Sequence, residues 1–241
     1  MTKGKVLVFG GTGPAGICLL RELLFREHET IVFARSPSKI PEELTKNPLL
    51  EILKAELSDL TALSTAVSRS SVIISLLGPS ILTGVEPQIY ADFYRALFPL
   101  MRTHGVRRIF AMGTLSIPVE GDSFSLSRLM LVGFVRVVAS GAYASVIKIG
   151  EVFAKEAGED IDWTVYRIAG IPGGSDEASW RADREDGETF EGYIGGPGWS
   201  LSQKRGALAR WLVDAVEDGK EKWIRKMPSV SRYAGSGSRR A

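Results

Sequence analysis

The chain has 241 residues, 44% of them hydrophobic and 24% charged, and a net charge of +2. That length suits a single α/β domain with a full core, and that apolar content excludes disorder as the governing state. The charge and a pI of about 8.6 are too mild to point to a nucleic-acid partner without a clustered basic face.

Cys18 is the one cysteine, which excludes an internal disulfide and a thiolate zinc cage and fits a reducing compartment. No run of about 18 apolar residues offers a membrane span. Met1–Lys5 leads directly into a short apolar stretch, too short for the core of a signal peptide. A cytoplasmic protein is expected.

The first predicted strand, Val6–Phe9, runs into Gly10-Gly11-Thr12-Gly13-Pro14-Ala15-Gly16. This satisfies both G-x-G-x-x-G and G-x-x-G-x-x-G. The glycines serve a tight turn, backbone approach to a pyrophosphate and close helix–strand packing. The amphipathic helix that follows carries Ile17, Leu20, Leu23 and Leu24, and its N-terminus offers free N–H groups to phosphates. Pro14 suits its first turn. A plain structural turn is the competing explanation, but a glycine loop that follows a strand and opens a helix favours a dinucleotide.

The second strand, Thr30–Ala34, is followed by Arg35-Ser36-Pro37-Ser38-Lys39. An NAD-binding strand here usually ends in Asp or Glu, which accepts from the ribose 2′-hydroxyl. Arg35 can instead grip a 2′-phosphate as a planar fork, with Ser36 adding a hydroxyl and Lys39 a second charge. Solvated loop cations are the commoner fate of such residues, yet the place of Arg35 under the adenine ribose favours NADP.

Further strands are expected at Leu49–Lys54, Ser71–Leu76, Arg108–Ala111 and Trp163–Arg167, with a helix carrying Leu60, Leu63 and Val67 between the first two. Ser123–Ser145 is more apolar than one helix face needs. Packing on the core is its first expectation, with an apolar substrate pocket or a homodimer interface as alternatives. Gly170–Trp199 reads as a long loop, either a lid or a surface excursion. Its carboxylates, Asp176–Glu191, alternate with Arg181 and Arg184 as a solvated face does. Residues 1–233 form one domain, with a substrate region from about 115–145 and 170–200, and 234–241 form a disordered tail. Strand–helix alternation implies an α/β fold, a Rossmann-type doubly wound parallel sheet with small C-terminal substrate-binding insertions.

The glycine loop, Val32–Lys39, Lys148-Ile149-Gly150-Glu151 and Ile161–Arg167 together resemble the atypical short-chain dehydrogenase/reductases. The similarity is greatest to the NAD(P)-binding NmrA-like proteins, which include biliverdin reductase B-type flavin reductases. It covers about residues 4–230. It implies that Leu76, Leu77 and Gly78 pass under the adenine-side ribose and pyrophosphate, and that Gly113 and Thr114 sit beside the nicotinamide. Ile168, Ala169 and Gly170 would close over that ring through their backbone, although relatives carry Arg-Pro where this chain has Arg167-Ile168.

The usual Tyr-x-x-x-Lys pair sets both side chains on one helix face. No tyrosine here has lysine four residues later, and Tyr143 and Lys148, five apart, diverge by about 140°. The remaining catalytic candidates are Thr114 and Lys148. Strand-end capping competes for Thr114, and a salt bridge to Glu151 competes for Lys148. His28 and His104 are expected at the surface. No G-x-S-x-G elbow or metal-ligand cluster is present. Hydride transfer needs mainly orientation from the protein, so the leading reading is an NADPH-dependent oxidoreductase. It would reduce a small carbonyl, quinone or flavin-like substrate. A non-catalytic NADP(H) sensor and an isomerase or epimerase are the alternatives.

Overall fold

The computed structural model describes residues 4–79 and 86–236. An eight-stranded sheet runs in the order β3-β2-β1-β4-β5-β6-β8-β7. Its first strands are β1 (Lys5–Phe9), β2 (Thr30–Ala34), β3 (Leu50–Lys54) and β4 (Ser70–Ser75). Then come β5 (Arg108–Thr114), β6 (Asp162–Ile168), β7 (Thr189–Gly192) and β8 (Ser229–Arg232). Every pairing is parallel except β7 with β8. The order reverses between β1 and β4, the point at which doubly wound sheets bind ligands beyond their carboxyl ends.

Strand periodicity divides the core into two layers. Val6, Val8, Val32 and Ile74 enter the layer shared with α1 (Pro14–Phe25) and α8 (Arg205–Asp218). Their neighbours Leu7, Phe9, Ile31 and Ile73 enter the opposite layer with α3 (Leu60–Ser68), α4 (Ile89–Thr103) and α6 (Ser140–Glu156). Cover on both faces explains why β2 is buried at all five positions and is apolar from Ile31 to Ala34. The short α2 (Glu42–Thr45) leads into β3.

Three expectations need correction. Ser123–Ser145 does not pack on the core: α5 (Leu126–Val138) contains no buried residue, and α6 follows at a 116° bend. Gly170–Trp199 is not a structureless loop, since it holds α7 (Glu177–Arg184) and β7. The Asp176–Glu191 stretch is not simply a solvated face, because Trp180 and Asp183 are buried. Arg184 also donates from Nε and Nη2 to the fully buried Glu22 at 3.0 and 2.9 Å. α7 thereby locks onto α1.

Residues 237–241 of the expected tail lie outside the described residues. Before them, the Ser236 hydroxyl accepts from the Glu188 N–H at 3.3 Å. Among the described residues, no single helix is long and apolar enough to cross a membrane.

Candidate cofactor and active site

The glycine loop sits at the carboxyl end of β1. Gly10 has φ +78°, and a Cβ there would lie 2.9 Å from the Leu76 carbonyl carbon, where β1 and β4 part. A Cβ on Gly16 would come within 2.2 Å of the Gly10 oxygen, so α1 can approach the loop only with glycine there. Gly11 backs onto Val32. Gly13 differs: its φ and ψ are −81° and 163°, and an added Cβ would meet only the Gly10 oxygen, at an ordinary 3.7 Å. The fold leaves room for a side chain at 13, so close approach of a pyrophosphate is what would ask for glycine there. Gly13 is the N-cap of α1, without a side-chain cap and without an acidic residue in the first turn. The N–H groups of Ala15 and Gly16, behind Pro14, are left for an anion.

This difference makes a test. Gly13→Ala is expected to weaken NADP(H) binding at least about tenfold, the worth of one hydrogen bond to a charged group. Its melting temperature should move by less than about 4 °C, within 1 kcal/mol for a domain of this size. Gly16→Ala is expected to destabilise the fold itself. Titration and thermal melts on both variants check the pair.

A cavity of about 710 Å³ opens beside the loop. Gly10, Thr12 and Leu77 line one side, and Arg35, Ser36 and Lys39 line another. Ala55–Ser58 after β3 and Gln88–Tyr90 at the start of α4 complete it. Arg35 directly follows β2, and a 3-10 turn at Pro37–Lys39 carries Lys39 over Ser36, its N–H donating to the Ser36 carbonyl at 3.2 Å. Both cations are exposed, and neither is ion-paired among the described residues. Burial raises the Tyr90 phenol above the usual tyrosine range while the charge of Arg35 pulls it down, so the two share this space. The carboxylates Glu56, Glu86 and Asp92 also line it. Asp92 accepts from Arg95 at 2.9 Å.

The second cluster lies at the ends of β5 and β6, where Thr114 pairs in register with Ile168. The Leu115 N–H donates to the Ile168 carbonyl at 3.2 Å. Thr114 Oγ1 accepts from the Ser116 N–H at 3.2 Å, a strand-end contact that leaves its O–H free to donate. Lys148 is half-buried on α6, and it makes no ion pair with Glu151 among the described residues. Beside it, Gly150 packs on Ile117 of the loop after Thr114. Ala144 stands four residues before Lys148, where a Tyr-x-x-x-Lys pair would carry its phenol.

Tyr94 and Tyr166 are fully buried around Ser75. Burial raises both phenols well above the usual range, and both hydroxyls are engaged at Ser75 inside the core. The Gly170 N–H donates to the Leu201 carbonyl at 3.4 Å, and the Gly170 carbonyl accepts from the Gln203 N–H at 3.1 Å. The segment Ile168, Ala169 and Gly170 is therefore sewn to residues 201–203.

The structure thus brings Gly10, Thr12, Arg35, Ser36, Lys39 and Leu77 around one cavity. Thr114, Lys148, Gly113 and Ile168–Gly170 do not line it and lie farther along the carboxyl edge. Leu76 points into the core, and Gly78 abuts Met112. His28 is not at the surface as expected: it is 4% exposed, with Nε2 at 2.8 Å from Glu217. His104 is half-buried against the Ser64 hydroxyl at 2.8 Å. Burial pushes the Cys18 thiol up to about 11, so it is not a nucleophile at neutral pH.

Sequence reasoning missed two groups. Glu56, Leu57 and Ser58 were findable, since they follow a parallel strand at its ligand-facing end. The other is a buried ion cluster. Arg167, fully buried, donates from Nη1 and Nη2 to the two carboxylate oxygens of Asp122 at 2.6 and 2.7 Å. Arg167 also donates to the Ile117 and Met227 carbonyls at 2.9 and 2.7 Å. Asp122 further accepts from the Ile194 N–H at 3.0 Å, and Arg128 lies 3.4 Å from it. The cluster ties the loop after Thr114 to β6 and to the segment after β7. Nothing in the spacing of residues 122, 128, 167 and 194 announces it.

Comparison with known proteins agrees with this architecture. A family model described as NAD(P)H-binding matches residues 10–219. A short-chain dehydrogenase/reductase from Veillonella parvula, solved in complex with NADP, aligns with a TM-score of 0.72 at 13% identity, covering 99% of this chain and 98% of that one. A Bacillus halodurans protein provisionally named an NAD-dependent epimerase/dehydratase gives 0.70 at 17% identity, covering 98% and 96%. These two show a common fold. A 3β-hydroxysteroid dehydrogenase/Δ5→4-isomerase of Mycobacterium tuberculosis is 35% identical over 86 residues, 33% of this chain and 22% of that protein. This chain therefore spans about a fifth of the length of that curated relative. With the glycine cradle at a topological switch point and a family match across most of its length, the chain belongs to the NAD(P)H-binding family of Rossmann-type proteins.

Proposed function

We propose that the chain is an NADPH-dependent oxidoreductase of the atypical short-chain type, close to the NmrA-like group, reducing a small carbonyl, quinone or flavin-like substrate in the cytoplasm. The observation that carries the reading is the pair Arg35 and Lys39, neither ion-paired among the described residues, beside a cavity that Gly10 and Thr12 of the glycine loop also line. Two exposed cations and no carboxylate directly after β2 suit a ribose 2′-phosphate. Gly13, Ala15 and Gly16 would hold the pyrophosphate. Leu76–Gly78 and Gly113 would flank the cofactor, and Ile168–Gly170 would close on the nicotinamide, with the substrate region built from about 115–145 and 170–200.

Bound NADPH supplies the hydride. The Thr114 hydroxyl donates a hydrogen bond to the substrate oxygen and holds the carbon toward the hydride. Lys148 supplies positive charge on the same edge as that oxygen takes up its proton. With Ala144 in place of a phenol, the proton comes from Lys148 or water, which suits quinones and flavins that also take protons from solvent. The same lack weighs against an epimerase, whose transient oxidation needs a base at that position.

The test is to follow loss of nicotinamide absorbance with purified chain, NADPH and a panel of quinones, flavins, aromatic ketones and a 3-ketosteroid, the last prompted by the mycobacterial similarity. Turnover of a panel member that falls at least about tenfold in Thr114→Ala, as loss of one positioned donor predicts, supports the reading. Tight NADPH binding with no turnover across the panel would instead make the chain a cofactor sensor.

A further inference from the structure

Helix α5 is apolar on both sides: Leu131, Val132 and Val135 are half-buried on its inner side, and the side facing water is apolar as well. A helix on a globular protein directs its apolar stripe to the core and its polar side to water. The inward hydrogen bonds come from Arg128, which donates from Nε to the Leu115 carbonyl at 2.9 Å and from Nη2 to the Ile117 carbonyl at 3.2 Å. Its guanidinium also pairs with Asp122. The Ser125 hydroxyl caps the helix, accepting from the Arg128 N–H. The outward face carries Leu126, Leu129, Met130, Phe134, Val137 and Val138, each 59–83% exposed, with Phe124 at 83% on the approach. Leu126, Met130, Phe134 and Val138 follow one i, i+4 row, and Leu129, Gly133 and Val137 follow the next.

The patch is larger than solitary proteins leave in water. At roughly 100 Å² apiece, these side chains present about 700 Å², above the 300–600 Å² of the largest patch on a typical monomer. That approaches the ~800 Å² each partner gives to a standard interface. Gly133 in the middle of the helix is the second observation. Glycine is the poorest helix-interior residue after proline, and a Cβ at Gly133 would meet nothing within 4 Å. Among the described residues, no contact calls for glycine there.

We propose that α5 is a homodimer interface, with two copies crossing about a two-fold axis so that each Phe134 seats over the Gly133 of the other. A knob and a hole side by side on one helix are self-complementary, as an isologous contact requires. The stripe carries no charge that a two-fold axis would set against itself. Arg128 is held inward, and Arg136 lies toward the Tyr143 ring at 5.9 Å. A lipid-surface helix would instead flank its apolar face with a basic row, which α5 lacks. Because α5 hangs on the Leu115 and Ile117 carbonyls, the pairing would brace the loop that follows Thr114.

Sedimentation equilibrium of the full chain at micromolar concentration tests this. A particle of twice the 26.2 kDa chain is expected. Phe134→Glu and Gly133→Leu should each raise the dissociation constant at least a hundredfold. Phe134→Glu should leave the melting temperature of the monomer unchanged, since the side chain is exposed, and Gly133→Leu should hold or raise it, leucine being the better helix former. Ser140→Glu, off the stripe, should leave the dimer intact. A wild-type chain that sediments as a monomer overturns the proposal. So does a dimer indifferent to both substitutions. Flotation with phosphatidylglycerol vesicles that Phe134→Glu abolishes, from a monomeric wild type, would assign the face to a membrane surface.

Discussion

Asp122→Ala is expected to lower the unfolding free energy by about 3–5 kcal/mol, the cost of leaving one member of a buried ion pair uncompensated. Arg167 has no exposure and the Asp122 side chain only 5%, so water cannot replace the lost carboxylate. For a domain held by about 5–15 kcal/mol, this is a large fraction, and the urea midpoint should fall accordingly. A loss under about 1 kcal/mol, the worth of an exposed pair, would show that the cluster contributes little to the fold. The pH dependence has a defined sign. Burial works to raise the Asp122 carboxyl, but hydrogen bonds and charge from Arg167, with the Ile194 N–H and Arg128, hold it below its ordinary value. Its contribution is therefore fully present above the unfolded carboxylate value of about 3.9, and it is lost as pH falls through the lower folded value. Asp122→Asn should flatten the acid limb of the stability curve below about pH 4. An unchanged acid limb would contradict the assignment.

Arg35→Asp is expected to raise the NADPH dissociation constant by about a hundredfold or more, since a bidentate charged contact is lost and a repulsive carboxylate replaces it. NADH lacks the 2′-phosphate, so its affinity should hold or improve, because an aspartate there can accept from the free 2′-hydroxyl. Arg35 is exposed, and among the described residues it makes no ion pair, which keeps the substitution from disturbing the fold. Isothermal titration with both nucleotides decides it, and equal effects on both would remove the basis for NADPH preference. Lys39→Ala should show the same direction with a smaller effect, its ammonium being a point charge rather than a fork.

The site divides along the same line as the fold. The glycine loop, Arg35, Ser36 and Lys39 lie within thirty residues of one another, and strand β1 with helix α1 rigidly relates them. Local rules therefore place them. Thr114 and Lys148 belong to separate elements, and the packing of α6 on β5, with Gly150 against Ile117, brings α6 near the loop after β5. His28 shows how context overrides residue type: polar and chain-local cues put it at the surface, while α8 supplies Glu217 and covers it.

Strands β1 to β6, the parallel α/β arrangement and the glycine turn between β1 and α1 follow from the sequence by itself. Strands covered on both faces must be continuous apolar runs, and a pyrophosphate on a helix N-terminus must meet glycine. The sequence did not disclose β7 and β8, Thr189–Gly192 and Ser229–Arg232. These are four-residue polar segments whose pairing is supplied by β6 and by each other, so they carry no periodic signal of their own. The burial of α7 against Glu22, the Asp122–Arg167 cluster and the outward apolar face of α5 were likewise decided by tertiary structure. Periodicity shows that a helix has an apolar stripe, and only the packing of neighbouring elements determines whether that stripe faces the core or the solvent.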